Sequence, residues 1–192
     1  FTQMKGWLEA PQLVIDHGEG VRLYDTEGRE YLDAISSLWV NIHGHRRKEI
    51  NDAIIAELNK VEHSTLLGLI NEPSAELAEK LVEVTPAGLN KVFYSDDGST
   101  AVEAAIKIAF QYWNYAGHPE KKDFINLGDS YHGDTVGAVS VGNVEVFHKA
   151  YKPLLFGTHR VTCPSFYHSK LGLSSEKEFL AYLLTELSLI HI

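Results

Sequence analysis

The chain has 192 residues, 44% of them apolar and 22% charged, which is enough material for one ordinary domain with its own core. A formal net charge of −9 with scattered basic residues argues against nucleic-acid partners and a polybasic membrane surface, and no apolar run approaches the length of a membrane span. Cys163 is the only cysteine, so no internal disulfide can form, and a reducing compartment, the cytoplasm, is expected.

The first residues, F-T-Q-M-K-G, carry neither a basic start nor an apolar block, and Phe1 reads as interior to a longer chain. Residues 11–35 predict a β-meander. Leu13, Val14 and Ile15 form one run, and His17-Gly18-Glu19-Gly20 turns it. Val21, Leu23 and Tyr31 then flank a hairpin signal at Asp25-Thr26-Glu27-Gly28. Taken alone, Trp39 in S-S-L-W reads as a large core aromatic rather than a binding residue. His43-Gly44-His45 has no third ligand nearby, so the pair predicts turn or surface residues rather than a metal site. Apolar spacing predicts a helix over 48–61, with Ile50, Ala53, Ile54, Leu58 and Val61 on one face. A loop over 63–68 follows. Pro73 opens the next helix, Leu77, Leu81 and Val84 form its stripe, and Pro86-Ala87-Gly88 stops it.

The stretch over 92–113, VFYSDDGSTAVEAAIKIAFQYW, predicts a buried strand, a sharp acidic turn and a long helix. Val92, Phe93 and Tyr94 are strand formers. Thr100 and Glu103 stand at capping-box spacing, and Asp97 is itself a favoured N-cap. Val102, Ile106, Ala109, Phe110 and Trp113 recur at helical spacing. Free N–H groups at Gly98-Ser99-Thr100 make either a phosphate cradle or simply a capped helix start. Phe124, Ile125 and Leu127 predict a second short buried strand, followed by the loop G-D-S-Y-H-G-D-T at 128–135. A short helix over 135–141, irregular chain to Tyr167 and a helix over 176–186 complete the pattern. The alternation predicts an α/β fold with a mainly parallel sheet. Both the 96–100 turn and the 128–135 loop then fall at carboxyl ends of strands, where they can share one site.

Five motifs stand in a fixed order: F-T-Q-M, S-S-L-W-V-N-I-H-G-H, H-S-T-L-L-G, S-D-D-G-S-T-A-V-E-A-A-I-K and Y-H-G-D-T. Together they resemble the class III (fold-type I) pyridoxal-phosphate aminotransferases, from Phe1 to about Lys170. Within that family they look most like the branch that converts 8-amino-7-oxononanoate to 7,8-diaminononanoate in biotin synthesis. The resemblance implies a small-domain segment over 1–45 and part of the large cofactor-binding domain over 46–186. The run L-S-L-I-H-I over 187–192 departs from the family. It is what a sequencing-adapter end encodes in one frame, so a non-native tail is expected there.

The resemblance also implies site residues. Gly98 and Ser99, with Thr100 beside them, grip the cofactor's phosphate, and Tyr131 stacks on its ring. The bare alternative for Tyr131 is an aromatic packed on the sheet rim. His132 and Asp134 belong to the same motif. Leu38, Trp39 and Phe1 face the substrate. Leu38 stands where many members carry a first tryptophan, and Phe1 where a tyrosine is usual. Both departures favour a plain aliphatic amino donor, lysine, over S-adenosylmethionine. No lysine here follows the family's S-K-x-L/I-T-G-G pattern, so the lysine that carries the cofactor is expected outside this chain, which alone should be inactive. Family members are homodimers. Two alternatives remain open at this stage: a class III aminotransferase for ω-amino acids or ornithine, and a non-catalytic ligand-binding domain.

Overall fold

The computed structural model describes residues 6–142, 144–169 and 171–190. Two compact units form, Phe1–Pro86 and Ala87–Ile192. In the first, β1 (Ile15–Glu19), β2 (Arg22–Asp25) and β3 (Glu30–Leu32) make an antiparallel meander in that order. The expected turn at His17-Gly18-Glu19-Gly20 is displaced. His17, Gly18 and Glu19 lie in β1, and Glu19 faces Arg22 across the ladder. Gly20, at φ 54°, reverses the chain, while His17 stacks on Tyr24 at 4.6 Å and so belongs to the strand.

Buried Asp25 closes the next hairpin. Its Oδ1 accepts the N–H groups of Glu27 (2.9 Å) and Arg29 (2.8 Å), and its Oδ2 accepts Arg29 Nε (2.6 Å) and the Tyr31 hydroxyl (2.9 Å). An aspartate that satisfies its own turn in this way is the physical content of the Asp-x-x-Gly signal. A single turn, α1 (Ser36–Trp39), follows the meander, and then come two helices, α2 (Lys48–Leu58) and α3 (Glu72–Val84). Asn71 caps α3 by accepting the Ser74 N–H at 3.0 Å, one residue past Pro73.

The second unit opens with α4 (Gly98–Tyr115) and continues through β4 (Ile125–Leu127), α5 (Val136–Val141), α6 (Glu145–His148), β5 (His159–Val161) and α7 (Glu176–Ile190). β4 and β5 pair in parallel, Asn126 opposite Arg160, which agrees with the parallel sheet read from the alternation. β5 falls inside the stretch expected to be irregular. Residues 92–94, expected as a buried strand, run outside any sheet among the described residues, and Phe93 is 70% exposed. Strand formers make a strand only where a neighbouring backbone offers its hydrogen bonds, and β4 and β5 take each other. β4 also corrects an expectation. Ile125 and Leu127 are half exposed, whereas Asn126 is buried, accepting the Thr158 hydroxyl (3.0 Å) and donating to the Gly142 carbonyl (3.4 Å).

Among the described residues, Ala138 and Val139 on α5, Val161 on β5 and Phe179 on α7 are the buried apolar ones. Glu186 ties α7 to the end of β5 by accepting the Thr162 N–H at 2.8 Å. α7 runs four residues past the 176–186 expected, through the first part of the 187–192 run, whose last two residues lie outside the described set. The stripes on α2, α3 and α4 have the predicted spacing, yet Ile54, Leu58, Leu77 and Phe110 remain exposed.

Asp25 sets a pH dependence. Burial raises its carboxyl pKa, but the Arg29 guanidinium, the turn amides and the Tyr31 hydroxyl outweigh it and bring the value down to about 2. The folded value is depressed, so the contribution is complete above the unfolded carboxylate value of about 3.9 and is lost as pH falls toward about 2. Asp25→Asn should therefore unfold more readily than the parent at pH 6, and the gap should close as pH approaches 2. Denaturant titrations at several pH values check this. A gap independent of pH would contradict it.

Candidate functional site

The site in the second unit begins with a helix cap. Asp97 is the N-cap of α4. Its Oδ1 accepts the Thr100 N–H at 2.8 Å, and the Thr100 hydroxyl accepts the Asp97 N–H at 3.1 Å. The capping box is thus Asp97 with Thr100, not Thr100 with Glu103. Once Asp97 starts the helix, Thr100 occupies its third position, where the reciprocal bond forms. Glu103 lies a turn further on and serves another helix. Its Oε1 accepts the N–H groups of Gly137 (2.7 Å) and Ala138 (3.3 Å), so that it caps α5 from α4. The Thr135 hydroxyl, outweighing the partial burial, and these two amides together hold the Glu103 carboxyl below its usual range.

The cap uses the amide and hydroxyl of Thr100, the latter also bonded to Ser95 Oγ at 2.7 Å. Gly98 and Ser99, the first two helical residues, have no backbone acceptor for their N–H groups among the described residues. The Ser99 hydroxyl accepts the Asp134 N–H at 3.2 Å, which joins the helix start to the loop after β4. Gly133 makes this approach possible. At φ 119°, a Cβ there would lie 1.9 Å from Ser99 Oγ.

Tyr131 stands beside this junction, 48% exposed. Its hydroxyl donates to Asp134 Oδ2 at 3.0 Å, and that bond, with burial and the carboxylate's charge, raises the phenol pKa. Its ring lies over buried His148, centroids 6.3 Å apart and planes 22° apart. Ser99, Tyr131 and Asp134 are therefore brought together, with Gly98 and Thr100 in the adjoining turn. His132 is exposed and makes no polar contact among the described residues. The assembly offers two backbone donors and a hydroxyl at the positive end of an 18-residue helix, beside a half-open aromatic ring. It is equipped to hold an anion attached to a flat ring. A groove of about 790 Å³ between Ile106 and Phe110 of α4 and Phe124 and Phe156 carries none of these residues. No group of metal-ligating side chains occurs among the described residues.

Leu38 and Trp39 lie in the first unit, on α1. Its four residues all have positive φ: 52° at Ser36, 49° at Ser37, 65° at Leu38 and 70° at Trp39. It is a left-handed turn built without glycine, in a conformation that costs an L-residue roughly 1–2 kcal/mol. Leu38 is 63% exposed and Trp39 72%. Asp33 holds the turn by accepting the Ser37 N–H (2.8 Å), the Ser37 hydroxyl (2.7 Å) and His45 Nε2 (2.7 Å). His45 is thus a largely buried partner of Asp33 and not a surface residue. Phe1 lies outside the described residues.

Sequence reasoning missed Asp33, Glu103 in its actual role, and His148. Asp33 carried a signal: an aspartate leaving a strand and followed by serines bonds to backbone a few residues on. Glu103 and His148 act across 34 and 17 residues of chain, and spacing alone does not report such contacts.

Residues 4–188 match the family Aminotransferase class-III. The adenosylmethionine-8-amino-7-oxononanoate aminotransferase of Geobacter sulfurreducens is 50% identical over 190 residues, covering 99% of this chain and 42% of that relative. The enzyme of the same name from Aquifex aeolicus is 55% identical over 167 residues, 87% of this chain and 37% of its own length. Among solved structures, the same-named enzyme of Methanocaldococcus jannaschii superposes with a TM-score of 0.82 at 51% identity, over 88% of this chain and 38% of that one. A thermostable (S)-enantioselective omega-transaminase from Thermomicrobium roseum gives 0.87 at 33% identity, over 96% and 41%. The chain thus spans about two-fifths of the length of these relatives. With a match over nearly its whole length and a fold-type I α/β architecture, the chain belongs to the class III aminotransferases, which are pyridoxal-phosphate enzymes.

Proposed function

We propose that this chain carries the phosphate grip and part of the substrate wall of an aminotransferase that converts 8-amino-7-oxononanoate to 7,8-diaminononanoate in biotin synthesis. The observation that carries the reading is the junction of Ser99, Tyr131 and Asp134, in a chain half identical to enzymes with that name. The residues fit pyridoxal phosphate. The Gly98 and Ser99 amides and the Ser99 hydroxyl suit its phosphate, and the close approach of Gly133 leaves the Ser99 hydroxyl no side chain to compete with. The exposed part of the Tyr131 ring suits its pyridine. When bound, the cofactor supplies an electron sink for moving a proton between carbon atoms of an amine.

The chain's own residues have separate tasks. Asp97 and Thr100 fix where α4 starts, and so aim the free amides. Asp134 fixes the direction of the Tyr131 hydroxyl by accepting its hydrogen bond, which leaves that oxygen able to accept a bond from a substrate amine. His148 supports the ring from the other side. Leu38 and Trp39 supply apolar wall for the long aliphatic acceptor. The enzyme works as a homodimer in the cytoplasm, and the lysine that carries the cofactor lies outside these 192 residues, so the chain alone has no turnover.

Two variants of the whole protein test the site. Ser99→Ala should weaken cofactor retention by about 1.5–3 kcal/mol, the range for a hydrogen bond to a charged group. Tyr131→Phe should keep the cofactor, because stacking survives, and lower turnover. Cofactor absorbance after dialysis and steady-state rates with 8-amino-7-oxononanoate measure both. Unchanged retention in Ser99→Ala would show that the phosphate is held elsewhere.

The amino donor is lysine or S-adenosylmethionine. The relatives' names carry the second, whereas Leu38 removes an indole face that would attract a sulfonium by about 0.5–2 kcal/mol. A competition between the two amines should give the higher specificity constant to lysine, and Leu38→Trp should shift it toward S-adenosylmethionine. A preference for S-adenosylmethionine that Leu38→Trp leaves unchanged would dismiss the role given to Leu38.

A further inference from the structure

The left-handed turn at Ser36–Trp39 needs an explanation that burial does not provide. Four successive L-residues adopt a conformation that each disfavours, and none of them is glycine. Strain of this kind persists where surrounding structure over-determines it. In a folding core the return would be buried apolar area, yet Leu38 and Trp39 are 63% and 72% exposed. The turn thus holds two large apolar side chains outward.

The restraint is identifiable. Asp33 and His45 close a loop whose ends are anchored in the meander. The Asp33 N–H donates to the Val21 carbonyl at 2.9 Å. The His45 N–H donates to the Gly20 carbonyl at 2.7 Å, and the Gly20 N–H donates back at 3.2 Å. The His45 ring covers Gly18, where a Cβ would lie 2.6 Å from its Cγ. Between these anchors the Asp33 carboxylate reaches the Ser37 amide, the Ser37 hydroxyl and His45 Nε2, all within 2.8 Å. The Asp33 side chain is 5% exposed and that of His45 13%, so water competes little for these bonds.

We propose that Asp33 is a positioning residue for substrate. Its carboxylate, braced by His45, clamps the strained turn so that Leu38 and Trp39 stay fixed as an apolar wall for the aliphatic chain of the substrate. The proposal rests on the reading of Leu38 and Trp39 as substrate-facing. The clamp acts on substrate affinity and not on the phosphate grip.

The test uses the whole, cofactor-loaded protein. Asp33→Ala should raise KM for 8-amino-7-oxononanoate at least tenfold, while kcat and the cofactor absorbance stay within twofold of the parent. A crystal structure of the variant should show Ser36–Trp39 relaxed out of the left-handed region. If Asp33→Ala fails to fold, Ser37→Ala removes only the hydroxyl bond and should raise KM by a smaller factor. Trp39→Ala separates the two ideas. If it raises KM while Asp33→Ala, or Ser37→Ala in its place, leaves KM and the turn unchanged, the clamp is overturned. If Trp39→Ala leaves KM unchanged, the wall reading fails, and the clamp's role toward substrate fails with it. Equal losses of kcat and cofactor in Asp33→Ala would mark a general structural role and also overturn the proposal.

Discussion

The start of α4 depends on one bond, from the Thr100 amide to the Asp97 carboxylate. A helix has four orphan N–H groups at its start, and which of them remain available is decided by the cap. Here the cap takes the third and leaves those of Gly98 and Ser99. The same choice places Ser99 where its hydroxyl meets Asp134, and places Glu103 a turn further on, where it meets the amides of α5. A start shifted by one residue would turn Ser99 about 100° around the helix axis and break both connections. Asp97 beside a phosphate looks unfavourable by charge alone. Its oxygen is engaged with the helix amide, and that bond is what orients the donors.

The same device recurs through both units. Asp25, Asp33 and Glu103 are each held by backbone N–H groups of a neighbouring segment, and each ties together pieces that apolar packing does not. Hydrogen bonds to a charged acceptor contribute more than neutral ones and impose direction as well. This matters in a chain where few apolar side chains are buried among the described residues. The geometry of the site is carried by short polar links.

That division explains what the sequence made legible. Strand–turn–helix order, the N-cap aspartate, the start of α3 near Pro73 and the loop at Tyr131 to Thr135 depend on residues within a few positions of one another. The structure places the turn, the cap, the start of α3 and the loop as read, while the strand before α4 does not form among the described residues. The β1 turn was misplaced because His17 is polar yet stacks across the ladder, so polarity there signals a solvent-facing strand position. Phe124 to Leu127 was read as buried from its apolar residues, and the buried one proved to be Asn126, whose partners are Thr158 and Gly142. Residues 92–94 have the composition of a strand and lack a ladder among the described residues. In each case the deciding partner is distant in sequence, and composition carries no record of it.

α1 is the extreme of this limit. Nothing in S-S-L-W predicts left-handed backbone, and the usual marker, glycine, is absent. Its conformation follows only when Asp33, His45 and the meander that anchors them are considered together. A glycine in the turn would remove the strain but also the resistance to other conformations, and two large exposed side chains would then sample many directions. Four L-residues held by an external carboxylate resist further distortion on every side, because the left-handed basin is narrow for residues with a Cβ. The backbone strain therefore stiffens the presentation of Leu38 and Trp39. The meander, which has no chemistry of its own, is the base on which that stiffness rests.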